Sequence, residues 1–149
     1  MSNKVNRSKH IKHLEQLQME QYKNRYPSVP DHAIPRPKYQ HTKSNGLTKA
    51  ICDYIDLLGG WATRINTMGV YRDGRWTKST TKLGTADIWA QYNNTGYAIE
   101  VKIGADKQSE EQKQVQREFT KAKSGGVYII AKTFDQFYED FNNTINNNK

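Results

Sequence analysis

The sequence predicts an α/β fold in which a central mixed four-stranded sheet is flanked by helices. Three observations predict it. Apolar residues at helical spacing, Leu47 to Leu58, run into Gly59-Gly60, which terminates a helix. Two alternating stretches, Ile88–Tyr92 and Tyr97–Val101, flank Asn93-Asn94-Thr95-Gly96 and read as strand, tight turn, strand. A helix starting at Ser109 then separates this hairpin from the apolar run Val127–Ala131, which makes a βαβ unit.

Composition points to an anionic partner. The chain has 149 residues, a net charge of +8 and a pI near 9.5, and basic proteins of this kind favour polyanions. The charge is uneven: residues 1–43 carry nine Lys/Arg against three Asp/Glu, and residues 44–149 carry fourteen against twelve. Cys52 is the only cysteine, so no disulfide closes within one chain, as a reducing compartment requires. There is no apolar run long enough to span a bilayer and no hydrophobic signal segment, so the expectation is a cytoplasmic protein with no membrane partner.

Taken in order, residues 1–26 form a basic N-terminal extension, helical from Ser8 to Tyr26. Its narrow stripe of Ile11, Leu14, Leu17 and Tyr22 suits packing on the domain or on a second copy. His10 and His13, with no Cys or carboxylate ligands nearby, are expected to face solvent. All four prolines fall between Pro27 and Pro37, marking residues 27–43 as a linker. Its basic and aromatic end, Lys38–Lys43, either tracks a nucleic-acid backbone or is a plain tether.

The main domain spans residues 44–141. Its first helix carries Leu47, Ala50, Ile51, Tyr54, Ile55 and Leu58 on one face, with Cys52 in the same apolar pattern and Asp53 and Asp56 solvated. A strand follows over residues 61–67, then a hairpin over residues 71–76 whose turn is Asp73-Gly74. The polar loop from Lys78 to Leu83 leads into Gly84 and Asp87. Ser109-Glu110-Glu111-Gln112 is a capping box, and its helix runs to about Lys123 with Val115, Phe119 and Ala122 on the apolar face. Thr133-Phe134-Asp135-Gln136 is a second capping box. Phe134, Phe137, Tyr138 and Phe141 make the last helix amphipathic. The Asn-rich residues 142–149 read as a disordered tail.

The chemistry-bearing group is Asp87 with Glu100-Val101-Lys102. Side chains alternate along a strand, so Glu100 and Lys102 share one face while Ile99 and Val101 share the other. An Asp brought beside Glu-x-Lys on a hairpin can hold a divalent metal through hard oxygen ligands and position a water. Gln112 and Gln116, at i and i+4, border the apolar face of the helix from Ser109 and look toward the sheet. Arg64, Arg72, Arg75, Lys78 and Lys82 are the candidate phosphate contacts.

Five stretches occur together in order: Arg64-Ile65-Asn66-Thr67 with Gly69, Gly84-Thr85-Ala86-Asp87-Ile88, Ile99-Glu100-Val101-Lys102, Ser109-x-x-Gln112, and Gly125-Gly126 before the last strand. Over roughly residues 44–141 this layout resembles the PD-(D/E)XK nuclease superfamily, and most closely its VRR-NUC family of virus-type replication-repair nucleases. The resemblance implies a restriction-endonuclease-like core of αβββαβ order and metal-dependent hydrolysis of DNA phosphodiesters. It implies Mg²⁺ or Mn²⁺ on Asp87, Glu100 and the carbonyl of Val101. Lys102 then orients the attacking water or stabilises the transition state. A helix Gln completes the site, Gln112 by its Ser-x-x-Gln context or Gln116 one turn on, and Asn66 joins the basic residues in the DNA contacts. One departure stands out: this family often carries a Glu near the start of the first helix, at about Ser44 or Asn45 here, and no carboxylate occurs from Lys43 to Cys52.

Small stand-alone members of the family resemble Holliday-junction resolvases and act as homodimers. The resemblance therefore implies a structure-specific endonuclease of phage or mobile-element replication, recombination or repair, acting as a homodimer in the host cytoplasm. Two rivals remain: a nuclease acting on flaps, nicks or plain duplex, and a non-catalytic nucleic-acid-binding module. A small-molecule enzyme lacks support, because there is no Gly-rich phosphate loop, no nucleophile elbow and no Cys/His pair near an apolar pocket.

Overall fold

A computed structural model describes residues 8–123 and 125–147; residues 1–7 of the expected extension and 148–149 of the expected tail lie outside the described residues. The elements are α1 (Lys9–Arg25), a short 3₁₀ turn (Asp31–Ala33), α2 (Ser44–Leu57), β1 (Trp61–Arg64), β2 (Val70–Arg72), β3 (Arg75–Thr77), β4 (Ile88–Tyr92), β5 (Thr95–Val101), α3 (Glu110–Lys121), β6 (Val127–Ala131) and α4 (Phe134–Asn147). The main sheet has the order β1-β4-β5-β6, with β5 and β6 parallel and the other pairs antiparallel. It is the mixed four-stranded sheet flanked by helices that the sequence predicts. β2 and β3 pair only with each other.

The register divides the sheet into two faces. Ile88, Ile99 and Ile129 are direct cross-strand partners. They point to the same side and are buried together with Ala90, Tyr97, Val101 and Ala131. That side is sealed by α2, which lies against β1, β4 and β5, by α4 against β6, and by α1 against α2 and α4. Phe134, Phe137 and Phe141 of α4 are fully buried there. Three such rings removed from water each contribute a few kcal/mol, about 25 cal/mol per Å² of apolar surface. This helix-packed face is the core of the molecule.

Of the two expected partners for the N-terminal helix the domain itself is the one observed, since Ile11 and Leu14 are buried members of the same core. Other expectations are corrected. His10 and His13 do not face solvent. His10 Nδ1 lies 2.7 Å from Asp135 Oδ1 and its ring stacks on Tyr138, while His13 Nδ1 lies 3.2 Å from the Tyr138 hydroxyl. These polar contacts secure α1 on α4 at the edge of the apolar contact.

The proline-rich segment is likewise fastened: Tyr39 donates its hydroxyl to Asp53 at 2.8 Å and packs against the core. Asp53 is therefore not simply solvated, and it also accepts from Gln18 and Lys49. Cys52 is half-buried, and burial followed by the nearby Asp56 and Asp53 charges pushes its thiol up to about 11.

Strand β1 stops at Arg64 rather than Thr67. Asn66 Oδ1 there accepts from the Met68 amide at 3.0 Å and curls the chain away, leaving one further backbone bond from the Ile65 amide to the Asp87 carbonyl at 2.7 Å. The β4–β5 turn is Asn93-Asn94 alone, both at positive φ (46° and 61°), so Thr95 and Gly96 belong to β5. Asparagine tolerates this backbone region better than other side chains. Helix α3 ends at Lys121, two residues early.

The tail expected to be disordered is helical to Asn147. Its polar side chains are used: Asn142 Nδ2 donates to the Tyr54 hydroxyl at 3.2 Å, Thr144 Oγ1 lies 3.0 Å from the Tyr97 hydroxyl, and Ile145 packs on the core.

Candidate active site

The opposite face of the sheet carries Asp87, Glu100 and Lys102. Among the described residues its only helix is α3, which lies against β6 and has no fully buried side chain. Phe119 of α3 covers glycines rather than bulky residues: a Cβ on Gly126 would fall 2.3 Å from its ring, and one on Gly96 about 4.0 Å away. The β1–β4 half of this face keeps Trp61 and Trp89 exposed.

Glu100 is 2% exposed and Lys102 7%, yet both carry ionisable groups. Burying charge is costly unless each is paired. The pairing is specific. Lys102 Nζ lies 3.2 Å from Glu100 Oε1 and 3.7 Å from Asp106 Oδ2. Gln112 Nε2 donates to Glu100 Oε1 at 2.5 Å. Asp87, which precedes β4, turns its Oδ2 to accept the Val101 amide at 2.8 Å. That bond fixes the Asp87 carboxylate against the end of β5, next to Glu100.

Glu100 Oε2 is buried and has no hydrogen-bond partner among the described residues. Burial first, and then the Asp87 charge, push its carboxyl up to about 7, against the pull of Lys102. The same two carboxylates, after burial, raise the Tyr128 phenol to about 12. Two adjacent carboxylates, one with an orphaned oxygen, suit a shared proton or a hard cation. Among the described residues no group of three or more His, Cys, Asp and Glu side chains gathers as a metal cluster. The donor set that the structure brings together is thus two carboxylates, Asp87 and Glu100. It fits Mg²⁺, which binds through one or two carboxylates, keeps several waters and leaves positions for substrate phosphate. The first-helix carboxylate common in the resembled family has no counterpart: α2 starts at Ser44, and buried Thr48 spends its hydroxyl on the Ser44 carbonyl at 2.9 Å.

Gln112 and Gln116 separate clearly. Gln112 completes the capping box, with its Oε1 accepting the Ser109 amide at 2.9 Å while its Nε2 holds Glu100. One amide group both starts the helix and grips the site. Gln116 Oε1 instead accepts from Gln108 Nε2 at 3.1 Å, and Gln108 also reaches toward Tyr128. Gln108, Tyr128 and Asp106 are neighbours of the site that no sequence signal singled out. They come together through the βαβ crossover.

A cleft of about 610 Å³ opens beside Gln112, lined by Trp76, Lys78, Lys82, Gly84 and Glu111 among others. Gly84 has φ +81°, and a Cβ there would lie 2.5 Å from the Glu111 carbonyl oxygen. Glycine thus lets the loop from Lys78 close against the first turn of α3 and bring Asp87 in beside it.

The candidate phosphate contacts do not behave alike. Arg72, Arg75 and Lys78 are exposed, with no salt-bridge partner among the described residues. Lys82 is paired with Glu118 of α3. Asn66 is used locally in its turn. Arg64 pairs in register with Ile88 and so lies on the helix-packed side, where its charge acts on Cys52 of α2. It does not share the face of Glu100.

Comparison of the chain with protein-family models, with curated proteins and with solved structures finds no match. The geometry of the site is therefore what bears on function. Among the described residues no helix is long and apolar enough to cross a membrane.

Proposed function

We propose that the protein is a metal-dependent nuclease with a restriction-endonuclease-like core that hydrolyses DNA phosphodiester bonds at Asp87, Glu100 and Lys102. The observation that carries the reading is Glu100 Oε2, buried and without a hydrogen-bond partner among the described residues, beside Asp87, with Lys102 on the same face and Gln112 joining the cluster to a neighbouring cleft. A purely structural ion pair gains nothing from a second carboxylate held against its buried acid, since like charges brought together in the interior disfavour ionisation.

Asp87, Glu100 and the Val101 carbonyl would hold Mg²⁺ or Mn²⁺. Such a cation supplies an acidified water and offsets the charge that builds on the phosphate. The chain's own residues do the positioning. The Val101 amide fixes Asp87, and Gln112 and Lys102 together hold Oε1 of Glu100. Lys102 Nζ, a hydrogen-bond donor anchored between Glu100 and Asp106, is placed to orient an attacking water or to donate to a non-bridging phosphate oxygen.

Within this reading the substrate is a branched DNA such as a Holliday junction, and two copies of the chain act together, since paired cleavage needs two sites. The test is cleavage of a four-way junction and of linear duplex across a Mg²⁺ and Mn²⁺ titration, beside Asp87→Ala and Lys102→Ala. The expected result is metal-dependent cutting that both substitutions abolish while binding survives. Absence of cutting on any DNA, with binding intact, would leave a nucleic-acid-binding module instead.

A further inference from the structure

The β2–β3 hairpin is the least explained part of the molecule. It pairs with no other strand, and every residue of both strands is exposed. Two three-residue strands joined by a two-residue turn are marginal in water without help. Part of the help is visible: Tyr71 and Trp76 are direct cross-strand partners with ring centroids 6.4 Å apart. Aromatic pairs of this kind stabilise hairpins. Yet Tyr71 remains 66% exposed and Trp76 62%. Their outer surfaces are covered by nothing among the described residues.

Strand alternation puts the neighbours on the other side. Arg72 and Arg75 face each other directly across the Asp73-Gly74 turn. Like charges in that register repel, and an anion lying between them removes the penalty. The hairpin is thus a blade with an aromatic face, a cationic edge and no acidic partner for either arginine among the described residues. Its root leads into the cleft. A Cβ on Gly69 would lie 3.0 Å from Trp76 Nε1, so the indole lies across Gly69, and Trp76, Gly69 and Lys78 line the same cavity as Gln112.

We infer that this hairpin engages an unpaired stretch of nucleic acid, stacking exposed bases on Tyr71 and Trp76 while Arg72, Arg75 and Lys78 hold the adjoining phosphates. Stacking needs a free base face, which a continuous duplex does not offer, whereas phosphate contacts serve either form. The inference rests on the nuclease reading for the role of the cleft and deepens it. Within the nuclease reading it favours branched DNA with unpaired nucleotides next to the cut, such as a flap, over a fully paired four-way junction, with the hairpin delivering the strand toward Gln112 and Glu100.

Binding, not cleavage, tests it. Anisotropy of the full chain in EDTA is measured with a labelled oligothymidylate of about 20 nucleotides and with a duplex of equal length. Tyr71→Ala with Trp76→Ala is expected to weaken the single strand about tenfold or more and the duplex less than about twofold. Tyr71→Phe with Trp76→Phe, which keeps both rings, restores most of the loss. Arg72→Ala with Arg75→Ala weakens both ligands and reduces the salt dependence of each.

Unchanged single-strand affinity in the double-alanine variant, or equal loss on both ligands, overturns the inference. So does a shift from dimer to monomer in that variant with nucleic-acid affinity unchanged, which would make the hairpin a contact between copies. A protein that binds as described but never cuts would sink the nuclease reading and leave the hairpin inference standing. The reverse pattern sinks the inference alone.

Discussion

The two faces of the sheet are built on opposite principles. One is closed by three helices and lined by Ile88, Ile99, Ile129 and the phenylalanines of α4, all buried and apolar. The other has one helix without a fully buried residue, two exposed tryptophans, and a carboxylate and an ammonium withdrawn from water. The same strand, β5, contributes Ile99 and Val101 to the first and Glu100 to the second. Folding free energy is concentrated on the first face. The second is held together by a few directed hydrogen bonds, and it spends part of that stability on keeping Glu100 buried beside Asp87. The lesson is that the site is legible as the place where burial is not rewarded locally.

The sharpest test of this division is Asp87→Ala or Glu100→Gln. Either is expected to lower metal-dependent DNA cleavage by about a thousandfold or more while the fold persists, with a stability loss of no more than about 1–3 kcal/mol from the Val101 amide or the Lys102 ammonium left without its partner. A large loss of stability instead would make the cluster structural and erase the contrast. Next in size is one substitution made on both faces. Phe137→Ala is expected to cost about 3–5 kcal/mol by denaturant unfolding, and Phe119→Ala no more than about 1–2. Equal costs would mean that α3 is as much core as α4.

The pH dependence follows in magnitude. Burial beside Asp87 pushes the Glu100 carboxyl up to about 7 in the folded protein, whereas the unfolded chain releases the proton near the ordinary 4.5. Between those values the native state binds more protons than the unfolded state, so stability falls as pH rises through that window, by at most about 3 kcal/mol. Melting curves across the window should lose this fall in Glu100→Gln, and added Mg²⁺ should offset it in the parent protein. The smallest effect separates the two glutamines. Gln112→Ala removes both the capping bond and the bond to Glu100 and should cost about 1–2 kcal/mol in thermal unfolding; Gln116→Ala should stay within about 0.5.

Much of the fold was readable because its signals are local. Periodicity located α1, α2 and α4, the Asp73-Gly74 pair located its hairpin, and Ser109 with Gln112 announced the start of α3. Alternation along β5 by itself puts Glu100 and Lys102 on one face. Where the reading failed, a distant partner had changed the meaning of a residue. Asn142 and Thr144 look like a frayed tail until Tyr54 and Tyr97 supply their hydrogen bonds. The histidines of α1 look exposed until Tyr138 stacks on one and Asp135 pairs with it.

By itself, then, the sequence determined the element order, the alternation that separates apolar from ionisable side chains on β5, and the helix start that presents a glutamine. These follow from backbone geometry and neighbours a few residues away. Only the tertiary structure decided which glutamine reaches Glu100, that Arg64 lies on the far side, and that Oε2 of Glu100 is buried without a partner. Each of those depends on which surfaces meet across the sheet. Burial and pairing are properties of the assembled layers, and no window of sequence contains them.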